Sequence, residues 1–322
     1  MTLIIGLLLS LLLGIIPMAI YAGALTFFDP YEKEPPTLLI GVFLWGLIVA
    51  AGSSFVINTL FSVGLMIITN DELLSLGGTA VISAPLVEET VKGLAVFAVF
   101  VYFRHEFDSL LDGIIYGSLV GFGFAAAENV NYIASGFAQA GFEGLALVAF
   151  IRIIAIGFLH ATLTSFTGIG FAVARLNKGC LRWAAVPVGY SLAIGAHALH
   201  NFMASIGGLA CLLGSVIDWI GFLGLFVFIL FLGYHEGQVL RQHLREEVAL
   251  GTLTESHYRS ACSLGGQVLA RFGAGNAKLN NLCGELAFKK YQLARLGHAE
   301  EREAQAMIDK LRNEIVAASR GA

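Results

Sequence analysis

About seven stretches of this chain, at residues 3–28, 37–68, 79–103, 111–135, 144–175, 183–206 and 209–234, are long and apolar enough to cross the hydrocarbon core of a bilayer. That pattern excludes most folds. Backbone N–H and C=O groups in lipid must be satisfied within the segment that carries them, so these runs are expected to be helices rather than isolated strands. The composition agrees, with 57% apolar side chains, 13% charged and a mean hydropathy of +0.78. The expected fold class is all-α, a polytopic membrane helix bundle of about seven transmembrane helices. Its surroundings are the lipid bilayer, and no nucleic-acid partner is expected.

The charges are unevenly placed. Seven of the 19 Lys and Arg residues precede position 235 and twelve follow it. Residues 1–234 are therefore expected to form the transmembrane domain and 235–322 a soluble helical C-terminal tail. Lys33, Arg104, Arg175, Lys178 and Arg182 fall in the first, third and fifth connections, while the second, fourth and sixth contain no Lys or Arg. The positive-inside rule then predicts a multi-pass protein of the plasma (inner) membrane with its N-terminus outside and its tail in the cytoplasm. The first apolar run has no basic leader and no small-x-small cleavage site, and reads as a retained span. Cys180, Cys211, Cys262 and Cys283 show no metal spacing, and most fall in segments expected to be cytoplasmic, where thiols stay reduced. Thr254 and Asn276 read as helix N-caps in the tail, and Gly297 as the end of a helix before a charged one from Ala299 to Ser319.

Ionisable side chains inside such spans cost about 2.5 to 3.5 kcal/mol each at a helix centre, so each needs a partner or a task. Residues 85–92 place Glu88, Glu89 and Lys92 together in an apolar run. Glu88 and Lys92 are four apart and Glu89 and Lys92 three, so one ammonium can neutralise only one of the two carboxylates. One is left over. Pro85 either kinks a continuous helix or opens a shorter one, the second option leaving Thr79 to Ala84 as re-entrant chain. A helix-positioning ion pair would explain two of these groups, but further polar residues occur at matching depth in later spans.

The fourth span begins at Ser109 and Asp112 in a capping-box pattern. Asp112, Tyr116, Phe124, Glu128 and Tyr132 share one row, beside the small-residue row Gly113, Gly117 and Gly121 that lets another helix approach closely. In the fifth span Arg152, Ile156, His160 and Thr164 share a row. In the sixth, His197 and Asn201 are four apart and His200 projects roughly 60 degrees away. Glu88, Glu89, Glu128, His160, His197 and Asn201 can thus meet in the outer half of the bundle. They have the parts of a hydrolytic site: a carboxylate to take a proton from water, imidazole to orient that water or protonate the leaving amine, and Asn or His to stabilise an oxyanion. The same residues could bind zinc. His-Glu-x-x-His, Gly-x-Ser-x-Gly and Gly-x-Gly-Asp do not occur.

Taken together these residues resemble the PrsW intramembrane proteases. The resemblance rests on Glu88-Glu89-x-x-Lys92, on Asp112-Gly113-x-x-Tyr116-Gly117, and on Gly121-x-Gly123-Phe124-Ala125-x-x-Glu128-Asn129-x-x-Tyr132. It continues through His160 and His197-x-x-x-Asn201, includes the loop from Asp29 to Pro35, and covers about residues 25–205. That family is similar to the type II CAAX prenyl endopeptidases, with Glu-Glu-x-x-x-Arg, Phe-x-x-x-His and His-x-x-x-Asn. Here Lys92 stands one residue early in place of Arg, and Glu128 in place of the first His, which leaves open whether Glu88 or Glu89 is the base. The resemblance implies an intramembrane endopeptidase that cuts membrane-anchored proteins near the extracytoplasmic side, with a single-span protein such as an anti-sigma factor as substrate. It implies either a metalloprotease or, as in the CAAX relatives, a metal-free glutamate enzyme. The second is preferred because no dense set of ligands appears at local spacing. The alternative functions are a non-catalytic scaffold that binds single-span partners and an ion-coupled transporter. The tail lies outside the resemblance.

Overall fold

The computed structural model describes residues 1–29, 31, 33–273, 276–296 and 301–320. Among them are thirteen α-helices and no strand, so the chain is an all-α helical membrane bundle. Gly297 lies outside the described residues.

Its packing is inside out relative to a water-soluble bundle. On α1 (Thr2–Leu25) the buried positions are Gly6, Ser10, Gly14, Met18 and Ala22, every fourth residue and mostly small. Leu3, Leu7, Leu8, Leu11 and Ile20 face outward. Without a hydrophobic drive between helices in lipid, close backbone approach along small residues is what holds helices together. α1 uses it to lie along α6 (Leu110–Phe150), where Gly6 meets Phe137 and Gly14 meets Val130.

α2 (Pro36–Leu44) passes through a π turn, Trp45–Ala50, into α3 (Ala51–Thr69). α4 (Glu72–Gly78) starts at Asp71, which accepts from the Leu74 N–H at 3.0 Å, and runs through a second π turn, Thr79–Ser83, into α5 (Ala84–Tyr102). The chain is therefore helical on both sides of Pro85, and Thr79 to Ser83 are a wound turn rather than re-entrant coil. The Ala84 N–H bonds the carbonyl of Thr79, five residues back. In that register Pro85, which has no N–H, leaves the Ala80 carbonyl without a donor, and Asn201 supplies one through Nδ2 at 2.8 Å.

The capping box at Ser109 and Asp112 opens α6 as expected. The helix breaks at Ala140 and Gly141, whose φ of 62° favours glycine, and the chain doubles back so that Gly144 lies against the carbonyl of Gly136. A π turn, Ile151–Ala155, and a non-helical Ile156 separate this returning arm from α7 (Leu159–Leu176). Arg152 and His160 do not share a continuous helical row; the break between them corrects that expectation. The glycine row behaves as expected: Gly113, Gly117 and Gly121 lie against the backbone of Gly168, Thr164 and His160, which fixes the register of α7 on α6.

α8 (Gly179–Ile206) and α9 (Gly208–Ala249) complete the bundle. Four helical runs among the described residues are long and apolar enough to cross a membrane: Thr2–Phe28, Pro36–Thr69, Leu110–Leu176 and Gly208–Ala249. α5 carries Glu88, Glu89 and Lys92 within 19 residues, so the site itself dilutes the apolar signal of that segment.

α9 continues past position 234 and packs with α10 (Glu255–Ala261) and α12 (Ala277–Leu296), on which α11 (Leu264–Arg271) and α13 (Glu301–Arg320) lie. Thr254 and Asn276 act as the expected caps, accepting from the N–H groups of His257 and Leu279. The tail has its own core, with Leu240, Leu244, Leu279, Leu286 and Ile315 buried together with Tyr31 from the first loop. It is also tied to the bundle by Lys289, which bonds Asp108 at 2.5 Å and the His105 carbonyl at 3.2 Å. In the first loop, burial and the neighbouring Asp112 carboxylate hold the Glu34 carboxyl well above its ordinary range.

Candidate active site

α5, α6, α7 and α8 bring five of the six expected residues together. Glu89 is fully buried and saturated with donors: Lys92 Nζ at 2.5 Å, His197 Nδ1 at 3.0 Å and Thr164 Oγ1 at 3.0 Å. Lys92, packed 4.3 Å from the centre of the Phe124 ring, is therefore taken by Glu89 and not by Glu88. The leftover carboxylate is Glu88. Its Oε1 receives only a long hydrogen bond from Asn58 Nδ2, at 3.4 Å, and its Oε2 is buried with no hydrogen-bond partner.

The partners fix both imidazole tautomers. His197 Nδ1 meets the Glu89 carboxylate, so it carries the proton and leaves the Nε2 lone pair, 3.7 Å from Glu88 Oε2. His160 Nδ1 lies 3.2 Å from the Lys92 ammonium and so accepts, which places the proton on Nε2, donated to Glu128 Oε2 at 2.7 Å. Glu128 also receives Arg152 Nη2 at 2.7 Å, and Arg152 Nε donates to Asn129 Oδ1 at 2.9 Å. Arg152 and His160 thus meet on one carboxylate although the helix between them is broken.

Asn201 stands apart from the carboxylates, its amide given to the Ala80 carbonyl. His200 turns away to Asp218, 2.7 Å distant. Asn58 was not singled out from the sequence. It accepts from Ser83 Oγ at 2.8 Å, which turns its NH₂ towards Glu88. The available signal was a polar amide among Ser53, Ser54, Thr59 and Ser62 in an apolar span.

Glu88 and Glu128 open on a cavity of about 720 Å³ that Asn58, Phe124, Asn131 and Tyr132 also line. The cavity runs between α3, α5 and α6. Glu88, His160 and His197 each present a ligand atom such that all three atoms lie within 4.8 Å of one another. Two imidazoles and a carboxylate suit zinc. The orphaned Glu88 Oε2 and the His197 Nε2 lone pair are on hand, and His160 would exchange one of its two hydrogen bonds. The group fits. Its members come from three helices, which is why local spacing does not display it.

Fold and site define a helical integral membrane protein with a carboxylate and imidazole centre buried within its bundle. Residues 34–233, more than half of the chain, match the family described as PrsW family intramembrane metalloprotease, and the chain belongs to that family. It is similar to three curated proteins named Protease PrsW. That of Geobacillus kaustophilus is 36% identical over 105 residues, 33% of this chain and 43% of the relative. That of Bacillus subtilis is 27% identical over 161 residues, 48% of this chain and 65% of the relative. That of Clostridioides difficile is 34% identical over 124 residues, 38% of this chain and 50% of the relative. The chain thus spans between 43 and 65% of the length of these relatives. No solved structure matches.

Proposed function

We propose that this protein is an intramembrane endopeptidase in which Glu88 acts on the water that attacks the peptide carbonyl. The observation that carries the reading is the Glu88 Oε2 atom, buried and without a hydrogen-bond partner 3.7 Å from His197 Nε2, on a residue that lines the cavity. A buried carboxylate oxygen left unsatisfied is costly unless water, substrate or a cation completes it.

Glu88 takes a proton from water held between its Oε2 and His197 Nε2, and returns it to the leaving amine. Glu89 acts through His197, holding Nδ1–H so that Nε2 faces Glu88 Oε2, while Lys92 neutralises Glu89. Asn58 Nδ2, only loosely engaged, is the donor nearest the reacting carbonyl and takes the oxyanion role expected of Asn201. Glu128, clamped by Arg152 and His160, fixes the inner wall of the cavity. Glu88, His160 and His197 would hold the metal ion that the family description implies, and their donor set suits zinc; bound there, it would polarise the carbonyl and lower the pKa of the attacking water.

The proposed substrate is a single-span membrane protein, in keeping with a family described as intramembrane proteases, and an anti-sigma factor is the specific candidate. Loop charges support seven spans, with the N-terminus outside and the tail beyond about residue 234 in the cytoplasm of a plasma (inner) membrane. In that orientation Glu88 and Glu128 lie in the outer half. The test is cleavage of a panel of single-span proteins by the purified enzyme, beside Glu88→Gln and with a strong chelator. Activity kept in Glu88→Gln would overturn the assignment. Loss on chelation, restored by zinc, would support the metal form, and indifference to chelation the metal-free form.

A further inference from the structure

Sixteen residues before Glu128 on α6, roughly 24 Å along the helix at 1.5 Å per residue, a second set of acids is buried. Asp29, Glu34 and Asp112 are only 4, 7 and 3% exposed. Each presents an oxygen such that the three oxygens lie within 4.8 Å of one another. They come from separate parts of the chain: the exit from α1, the approach to α2 and the first turn of α6. An independent observation points at the same spot. Glu236 of α9 is 5% exposed and its Oε2 has no hydrogen-bond partner. The carboxylates that bear on it most strongly are Asp29 and Asp112.

Hydroxyl and backbone donors around the set are plentiful. Tyr116 donates its O–H to Glu34. Ser109 Oγ donates to Asp112 Oδ1 at 2.7 Å, and the N–H groups of Asp108 and Ser109 donate to Oδ2 at 2.7 and 2.6 Å. Positive charge is scarce. Lys289 is engaged by Asp108 at 2.5 Å. Of the described residues lining the adjoining cavity of about 300 Å³, which include Asp29 and Glu34, only Lys33 is a cation. Buried carboxyls crowded in this way carry their charge only when a proton or a cation offsets it, since the effective penalty of a buried ion is several kcal/mol.

We propose that Asp29, Glu34, Asp112 and Glu236 hold a divalent cation at the end of the bundle opposite Glu88. Four carboxylates with no nitrogen or sulfur donor select the hard, oxygen-liganded class, Mg²⁺, Ca²⁺ or Mn²⁺, over zinc. Such an ion would pin the first loop to α6 and α9 at the point where the tail leaves the bundle. Tyr31 of the same loop packs there, its hydroxyl against Gly237.

The test uses full-length protein in nanodiscs, stripped with EDTA and titrated with Mn²⁺, free Mn²⁺ being read by electron paramagnetic resonance. Saturable binding is expected at one site beyond any that is lost in Glu88→Gln. Glu34→Gln and Glu236→Gln should each weaken it at least tenfold, and Glu88→Gln should leave it in place. Thermal unfolding provides a second readout that guards against misfolded variants. Mn²⁺ should raise the melting temperature of the wild type more than that of Glu34→Gln or Glu236→Gln, while in EDTA both variants should melt close to the wild type. No Mn²⁺ binding by Glu88→Gln up to millimolar concentration, or binding by Glu88→Gln that persists when Glu34→Gln or Glu236→Gln is added to it, would overturn the proposal.

Discussion

The two buried acid clusters on α6 are built on opposite principles. Around Glu128 the counter-charges are covalent parts of the chain: Lys92 on Glu89 and Arg152 on Glu128, with two imidazoles between them. Around Asp112 the carboxylates are met chiefly by hydroxyls and backbone N–H groups, which satisfy lone pairs without cancelling charge. The first arrangement is rigid and leaves one oxygen, on Glu88, without a partner. The second, among the described residues, leans on hydrogen bonds more than on ion pairs. Local hydrogen bonding and local neutrality are separate requirements, and a membrane bundle can meet one without the other.

The sharpest way to test the contrast is to remove one acid at a time. Glu88→Gln should lower cleavage by about 10² to 10⁴-fold, the usual range for a lost general base, without shifting the melting temperature in detergent. Glu89→Ala should do more harm to the fold, because Lys92 would be buried and unpaired. A loss of about 3 to 5 kcal/mol is expected, seen as poor yield and early thermal unfolding. Glu236→Gln in EDTA should show no such loss; a large one there would erase the distinction between the clusters.

Asn201→Ala should cost about 1 to 3 kcal/mol by leaving the Ala80 carbonyl unsatisfied. Pro85→Ala, which restores an N–H at that point, should recover part of the loss in the double variant. Full additivity of the two would show that Asn201 acts elsewhere, and a cleavage defect without loss of stability would return it to the oxyanion role. The smallest effect concerns the thiols. Burial pushes Cys262 up to about 11 and Cys283 up to about 12, whereas Cys180 is exposed. Maleimide at neutral pH should label Cys180 and spare both tail cysteines until the tail unfolds.

Local chemistry was legible in the sequence wherever it depends on helical periodicity. The capping box at Ser109, the glycine row on α6 and the arithmetic of two glutamates for one lysine all follow from spacing of three or four. Which glutamate keeps the lysine does not follow, because Thr164 and His197 decide it from two other helices. The partner of Asn201 was hidden for a different reason: it exists only because a π turn shifts the hydrogen-bond register by one residue before Pro85. Arg152 and His160 were rightly drawn to one place, but through a broken helix and a shared carboxylate rather than one continuous face.

α9 runs 42 residues without a proline or a break, roughly 63 Å of uninterrupted helix. Its outer part donates Trp219 Nε1 to the Ala155 carbonyl at 2.8 Å and stacks Phe222 on Phe158, centroids 4.2 Å apart, two residues before His160. Its far end carries Glu247, gripped by Lys290 and Arg312 of the tail. One continuous helix thus reaches from the wall behind His160 to the ion-paired core of the tail, with no loop between them.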